Sequence, residues 1–112
     1  MPVEEIQRTV YLDYDGNDIL RTTFTVEKGH GKPQLRKFTF NYTTTVNGNE
    51  ATVVRYDCSH GYVHVHRYYR NLDAQPEKLA LDCSFETMAK LAREIDEKWM
   101  TWKRTYLSKL HN

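Results

Sequence analysis

Histidines are concentrated in one short segment of the chain. Residues 56–70 read YDCSHGYVHVHRYYR and hold three of the five histidines, His60, His64 and His66, among tyrosines, arginines and one aspartate. Imidazole is the side chain whose ordinary titration falls nearest neutral pH, and it is also a common metal ligand. The segment therefore predicts a metal site or a proton-transfer site, although a polar strand surface would give the same pattern without any chemistry.

A metal site is the first hypothesis. His64 and His66, two residues apart, project from the same side of a strand, and His60 would add a third nitrogen ligand with Asp57 as ligand or orienter. No further Glu or His follows at a ligand spacing, and a His-x-His pair alone is a weak motif. We expect no metal and no other cofactor; if a metal is bound, these three histidines are its predicted ligands.

Metal-independent cleavage of RNA is the second hypothesis. The reaction can use the 2′-hydroxyl of the substrate as nucleophile, and it then needs one base, one acid and a cation for the charge that develops on phosphorus. We assign the acid and base to His64 and to His60 or His66, with Asp57 as the orienter. The residues predicted to bind substrate supply a positive charge for phosphate or a ring for stacking on a base: Arg55, Tyr62, Arg67 and Tyr68.

A protein-interaction module without catalytic activity is the third hypothesis. Surfaces rich in tyrosine and arginine are typical of protein interfaces, so the same face could contact a protein partner or form a homodimer. His30, in a glycine-rich loop, and His111, near the C-terminus, are interpreted as solvated. Cys58 and Cys83 are interpreted as small buried residues rather than nucleophiles.

The histidine segment also resembles a signature of a family of small prokaryotic proteins with little established biochemistry. The signature has an aromatic residue and Asp, two small residues, His-Gly and then a second His, which are here residues 56–61 (YDCSHG) and His64. The C-terminal part is similar in its alanine, isoleucine and tryptophan, at Ala92, Ile95 and Trp99. The resemblance covers about the last half of the chain.

That family is distantly similar to TumE-like toxins of toxin–antitoxin systems. The resemblance implies an RNA-acting toxin with a cognate antitoxin protein as partner, and it carries roles over to Asp57, His60 and His64. The chain departs from the pattern at His66, because relatives more often have a charged residue shortly after the second His.

The first two thirds of the chain carry the pattern of antiparallel strands. Runs rich in β-branched and aromatic residues are separated by turn signals, of which Asn47-Gly48 is the strongest for a hairpin. The connections are too short for crossover helices and favour a meander. The predicted strands cover residues 6–13, 19–27, 35–46, 51–57 and 62–69.

The remaining residues predict a loop over 70–83, with room for a short edge strand at 78–81, and one long helix over 85–110. Ser84 can cap the helix because its hydroxyl can accept a free N–H of the first turn. The apolar residues, including two tryptophans interpreted as core, step by three and four along one helix face: Phe85, Met88, Ala92, Ile95, Trp99, Trp102 and Tyr106. We therefore predict an α+β domain, an antiparallel β-meander of about five strands with one long C-terminal helix packed on one face.

Strand alternation decides which face of the sheet carries the histidines. The more apolar set should face the helix and comprises Leu20, Thr22, Phe24, Val26, Phe38, Phe40, Tyr42, Val54, Tyr56, Cys58, Val63 and Val65. The complementary set, which includes Tyr62, His64 and His66, forms a polar face directed away from the helix. If His60-Gly61 is a two-residue turn, Asp57 lies opposite His64 and Arg55 opposite His66.

Composition limits the alternatives further. With 112 residues the chain is long enough for a single domain, and its net charge of +1 means that nucleic-acid binding would depend on a local basic face. The two cysteines have no C-x-x-C spacing, and neither a signal pattern nor an apolar run of about 18–20 residues is present. We expect a reduced cytoplasmic setting without membrane association.

Overall fold

The computed structural model describes residues 2–59 and 61–111, and in this part of the chain it shows one antiparallel sheet and one helix. The strands lie in the sheet in the same order as in the sequence. The elements are β1 (Val3–Tyr11), β2 (Asp18–Glu27), β3 (Gln34–Val46), β4 (Asn49–Cys58), β5 (Tyr62–Arg67), β6 (Glu77–Asp82) and α1 (Phe85–Leu110). The predicted α+β meander with a C-terminal helix is confirmed, and the described residues form six strands because 77–82, within the predicted loop, pairs with β5.

Two of the turns are stabilised by their own residues, one through backbone conformation and one through a side chain. Between β3 and β4, Asn47 and Gly48 both have positive φ (52° and 82°), as a two-residue hairpin with primed turn geometry requires. Between β1 and β2, the Asp13 carboxylate accepts the N–H groups of Asn17 at 3.2 Å and Asp18 at 2.8 Å. The predicted hairpin signal at Asn47-Gly48 is therefore confirmed.

The core lies between the helix and one face of the sheet. All twelve side chains predicted to face the helix are buried. The helix crosses β3 and β4, where Leu91 and Ile95 are at most 1% exposed and Trp102 stacks on Tyr69 with ring centroids 5.1 Å apart. Trp99 meets the ring of Tyr42 edge-on at 6.2 Å, so both tryptophans pack toward the sheet as predicted.

The helix begins as predicted, but its first apolar residue is not in the core. Ser84 accepts the N–H of Thr87 at 3.1 Å and caps the helix. Phe85 is 42% exposed, so the prediction that it shares the buried stripe is wrong. The buried face instead begins with Thr87 and Leu91, which lie one above the other because they are four residues apart. The buried face is therefore rotated around the helix axis relative to the predicted stripe.

A bulge changes the alternation of strand faces near the centre of the sheet. Tyr42 pairs with Val54, whereas the next residue, Thr43, pairs with Thr52. Val53 is therefore an additional residue on β4, and both Val53 and Val54 are buried. Beyond the bulge, Arg55 and the residues that follow keep the alternation on which the histidine prediction depends.

One polar cluster lies inside the core at the far end of the sheet from the histidines. Asp18 is 0% exposed, and its carboxylate accepts the Tyr42 hydroxyl at 2.7 Å and Nζ of Lys103 at 2.8 Å. Burial, together with the Asp18 carboxylate, raises the pKa of Tyr42 far above its usual value, so the hydroxyl remains a donor. These three residues, called here the Asp18 cluster, connect the helix to β2 and β3.

No helix in the described part of the chain combines the length and the apolar character needed to cross a membrane.

Candidate functional site

The β4–β5 hairpin has the register that the sequence predicted. Asp57 lies opposite His64, and Arg55 lies opposite His66. Val63 and Val65 are fully buried toward the helix, whereas His64 and His66 are half-buried on the other face. The prediction that these two imidazoles point away from the tryptophan-bearing helix is confirmed.

Four half-buried rings, in two contacting pairs, lie along this side of the hairpin and are called here the aromatic row: Tyr62 with His64, and His66 with Tyr68. The centroids of Tyr62 and His64 are 4.6 Å apart, and those of His66 and Tyr68 are 5.7 Å apart with nearly parallel planes (14°). The Tyr68 hydroxyl lies 3.4 Å from Nδ1 of His66. Period-two alternation along β5 places residues 62, 64 and 66 on one face. Tyr68 follows the end of the strand, is half-buried, and also packs against the core.

Asp57 faces a different partner from the one predicted. Its carboxylate lies 3.7 Å from the guanidinium of Arg55, two residues away on the same strand. Among the ion pairs of the described residues, no contact joins Asp57 to His64, so the predicted orienting contact is not made. Because Arg55 and Asp57 have side chains 49% and 34% exposed, this long pair is weak and its guanidinium is accessible to an arriving anion.

Arg67 lies on the opposite face from the other predicted binding residues. It shares the parity of Val63 and Val65, and its guanidinium donates to Glu77 at 3.0 Å. Its side chain is 17% exposed. Burial raises the pKa of the nearby Tyr56 hydroxyl, and the positive charge of Arg67 offsets part of that rise. Arg67 therefore lies apart from Arg55 and the aromatic row, because residue 67 follows 63 and 65 in the alternation, and its role in substrate binding stays a prediction.

Two adjoining clefts open on the polar face. One of about 200 Å³ is lined by Asp57, Ser59, His64, His66 and Pro76. The second, of about 230 Å³, shares Asp57 and Ser59 with the first and extends across β3 and β2 toward β1. Its other lining side chains are mainly hydroxyl-bearing or charged: Glu5, Thr23, Thr25, Lys37 and Thr39.

Lys78 is a site residue that the sequence did not identify. It lies opposite His64 on β6, and its ammonium stands 4.2 Å from the centre of the Tyr62 ring. A cation over an aromatic face is attracted by the ring quadrupole, so Lys78 adds positive charge at the start of the aromatic row. The sequence suggested a strand at 78–81 but contained no signal that fixed its register against β5.

The third histidine of the predicted site, His60, lies outside the described residues. The predicted three-histidine metal site therefore stays a prediction. Within residues 2–59 and 61–111, no three His, Cys, Asp or Glu side chains stand in positions that could hold a metal ion. His30 and His111 are exposed, as predicted.

The two cysteines lie behind the site and are both free thiols. Cys58 is fully buried, and burial, followed by the Cys83 thiol, raises its pKa to about 12. The Cys83 thiol lies 3.6 Å from the carbonyl of Cys58. A thiol that stays protonated and buried is a poor nucleophile, in agreement with the interpretation of Cys58 as a core residue.

The spacing of the two described histidines suits proton transfer around one phosphate group. Residues two apart on a strand are separated by roughly 6.5–7 Å. A proton transfer needs heavy atoms about 2.6–3.2 Å apart, so His64 and His66 can each reach a different oxygen of a phosphodiester placed between them. The accessible guanidinium of Arg55 lies opposite His66, where it can meet the charged phosphate oxygens.

Fold and site together define a small α+β domain in which one face of an open antiparallel sheet is covered by a helix and the other carries a row of aromatic and imidazole rings. The chain belongs to the family described as Domain of unknown function (DUF7718), whose model matches residues 3–112. The match spans the sheet and the helix, and the description assigns no activity. No curated protein and no solved structure matches the chain.

Proposed function

We propose that this protein is a small metal-independent endoribonuclease, of the kind that acts as the toxin of a toxin–antitoxin pair. The observation that carries the proposal is the aromatic row, in which two histidines stand between two tyrosines on an exposed face beside a cleft. The resemblance of residues 56–64 to the signature of a prokaryotic family that is distantly similar to TumE-like toxins supports the same proposal.

The substrate that fits this face is single-stranded RNA. Unpaired bases can stack on accessible aromatic rings, and the half-buried rings of Tyr62 and Tyr68 stand at the two ends of the row. Lys78 beside Tyr62 and Arg55 opposite His66 supply positive charge near the path of the backbone. A local basic patch is required because the chain as a whole carries a net charge of only +1.

The reaction uses the 2′-hydroxyl of the RNA as its nucleophile. One imidazole removes the 2′ proton while the new bond to phosphorus forms, and the other donates a proton to the departing 5′-oxygen as its bond to phosphorus breaks. The products are a 2′,3′-cyclic phosphate and a free 5′-hydroxyl, with no net gain or loss of protons. Arg55 stabilises the charge on the phosphate oxygens, and the Tyr68 hydroxyl orients His66.

The test is RNA cleavage by purified protein in the presence of a metal chelator. His64→Ala and His66→Ala should each lower the rate by about 100-fold or more, because positioned acids and bases contribute that much. His30→Ala is the matched control, since His30 is exposed and far from the row in sequence. The thermal midpoint of each variant shows whether the fold is intact.

Undiminished cleavage by His64→Ala would show that the catalytic assignment is wrong. The toxin role has a separate readout, which is growth arrest on expression and its relief by a neighbouring antitoxin-like gene. His60→Ala belongs in that assay, because His60 is carried over from the family signature. Relief by His60→Ala as well as by His64→Ala would favour catalysis by this segment over a protein-interaction role.

A further inference from the structure

The first strand is an edge strand that is exposed on both faces. Of its nine residues only Ile6 is even partly buried, and Val3 and Val10 are 59% and 48% exposed. Within the described chain β1 pairs only with β2, so its outer edge has no neighbour. Natural sheets protect such edges, because a free row of backbone groups invites another strand.

The opposite edge of the sheet is protected and offers a contrast. β6 has six residues, follows Pro76, and carries Glu77, Lys78 and Asp82 among its six side chains. Short length, an adjacent proline and charged residues all discourage pairing with another chain. β1 also follows a proline, Pro2, and carries charged residues, but it has nine residues to the six of β6, so a longer ladder can form at β1 than at β6.

The hydrogen bonds at the two ends of β1 show which backbone groups face outward. The carbonyl of Pro2 accepts from the N–H of Lys28 at 3.0 Å, and the N–H of Leu12 donates to the carbonyl of Asp18 at 2.8 Å. Even-numbered residues therefore direct their backbone groups toward β2. In an antiparallel ladder the alternate residues point the other way, so the free N–H and C=O groups belong to the odd-numbered residues 3, 5, 7, 9 and 11.

We propose that a second copy of this chain pairs with β1 in antiparallel fashion, about a two-fold axis that is perpendicular to the sheet and passes between the two copies of Ile6. In this register Glu4 lies opposite the partner's Arg8, and Arg8 lies opposite the partner's Glu4. The two copies of Ile6 face each other between these pairs. The dimer is a continuous sheet of two six-stranded halves, with both helices on one face and both aromatic rows on the other.

The backbone of β1 supports the same register. Residues 3 and 9, and residues 5 and 7, are opposed in it, and all four are odd-numbered residues with outward-facing groups. These opposed pairs can exchange about eight hydrogen bonds across the axis. The charged pair at positions 4 and 8 falls at non-hydrogen-bonded positions, where opposed Cα atoms are only about 4.5 Å apart and side chains are closest.

Neighbouring registers lack this complementarity. Moving the axis to Glu5 brings the two Glu5 carboxylates directly opposite each other, and moving it to Gln7 places Ile6 opposite the partner's Arg8. Like charges directly across a sheet are destabilising, whereas opposite charges contribute about 0.2–1 kcal/mol per pair. Of these three registers, only the axis at Ile6 places Glu4 opposite the partner's Arg8 and Ile6 opposite the partner's Ile6.

The experiment is sedimentation equilibrium of the full chain over a range of micromolar concentrations. The wild-type chain should approach twice its mass of 13.3 kDa as concentration rises. Arg8→Glu should raise the dissociation constant by about tenfold or more, because it converts two attractive pairs into two repulsive ones. The double variant Glu4→Arg with Arg8→Glu should recover part of the lost affinity, since each charge again meets its opposite across the axis. The recovery is partial because Arg at position 4 then faces Lys28 of its own chain, the 2.7 Å partner of Glu4.

Circular dichroism of all three proteins checks that the fold is retained. A chain that remains monomeric at every concentration would overturn the proposal and leave the edge to a strand of a different protein. A dimer that Arg8→Glu does not weaken, or that the double variant does not restore, would overturn this register. None of these outcomes depends on RNA cleavage, so the proposed function is tested independently.

Discussion

The molecule contains two polar clusters on opposite sides of its sheet, and they differ in how fully their groups are engaged. In the Asp18 cluster each oxygen of a buried carboxylate has a partner within 2.8 Å, the Tyr42 hydroxyl and the Lys103 ammonium. On the face that carries the aromatic row the corresponding contacts are long, 3.7 Å from Arg55 to Asp57 and 3.4 Å from Tyr68 to His66.

This difference distinguishes side chains that have a structural role from side chains that remain free to bind a ligand. A buried carboxylate must have its partners within the protein, since leaving it unpaired costs several kcal/mol, and it then has no capacity for a ligand. Side chains that are half exposed and loosely paired keep their capacity to bind. We therefore expect substitutions in the Asp18 cluster to affect stability and those on the aromatic row to affect RNA binding.

The largest expected effect is on stability. Lys103→Met removes the cation from the fully buried Asp18 and should lower the free energy of unfolding by about 3 kcal/mol, the lower end for breaking a buried pair because Lys103 is 31% exposed. Urea denaturation measures the change. Lys98→Met is the matched control, since Lys98 has a 3.8 Å surface pair with Glu94 and a side chain 56% exposed. If the two substitutions lowered the free energy of unfolding equally, the Asp18 cluster would have no special role in stability.

The second prediction concerns RNA affinity without loss of stability. Tyr62→Ala, made in a His64→Ala background to prevent cleavage, should weaken binding of a single-stranded RNA oligonucleotide by about 1–3 kcal/mol, the usual contribution of one stacked base. Fluorescence anisotropy measures the dissociation constant. Tyr14→Ala provides the control, because Tyr14 is fully exposed in the β1–β2 turn. An unchanged affinity for Tyr62→Ala would mean that bases do not stack at this end of the row.

The smallest expected effect is the loss of folding stability at acidic pH that results from protonation of Asp13 and Asp82. Partial burial opposes the charge of Asp13, but the N–H groups of Asp18 and Asn17 outweigh it and lower the pKa of Asp13 below 3.8. Hydrogen bonds from Thr87 and Ser84 lower the pKa of Asp82 in the same way. A carboxylate with a depressed folded-state pKa stabilises the protein above its unfolded-state value, and this contribution is lost as the pH falls through the folded-state value.

The measurement is the thermal midpoint between about pH 5 and about pH 2, the window in which these carboxylates protonate. The wild type should lose stability more steeply than the double variant Asp13→Asn with Asp82→Asn. Parallel curves would show that the two carboxylates do not contribute to the acid sensitivity.

Much of the fold could be predicted from sequence because its signals are local. The Asn47-Gly48 turn predicts the register of the β3–β4 hairpin, and the short distance in sequence between Asp57 and His64 predicts that of the β4–β5 hairpin. Each of these signals lies within a few neighbouring residues. Arg67 could have been placed on the helix side by the same alternation that placed His66. These parts of the structure need only the period of a strand and the length of a turn.

Features that depend on distant segments could not be predicted in this way. The contact of Lys78 with Tyr62 depends on how β6 pairs with β5, and the loop between the two strands does not fix that register. The register also shifts at a bulge between Tyr62 and Val63. Asp18 lies between the predicted strands 6–13 and 19–27, and no local pattern marks it as a core residue, because its partner Lys103 is 85 positions away in sequence. Local patterns carry no information on contacts of this kind.

The sequential strand order has a consequence for how the molecule is made. Each strand is synthesised directly after the one it pairs with, so hairpins can be added one at a time as the nascent chain emerges. The segment that covers the apolar face follows all six strands. During synthesis the side of the sheet bearing Tyr42 and Tyr56 stays uncovered until the last segment has left the ribosome, and this interval is when a growing chain is most exposed to aggregation.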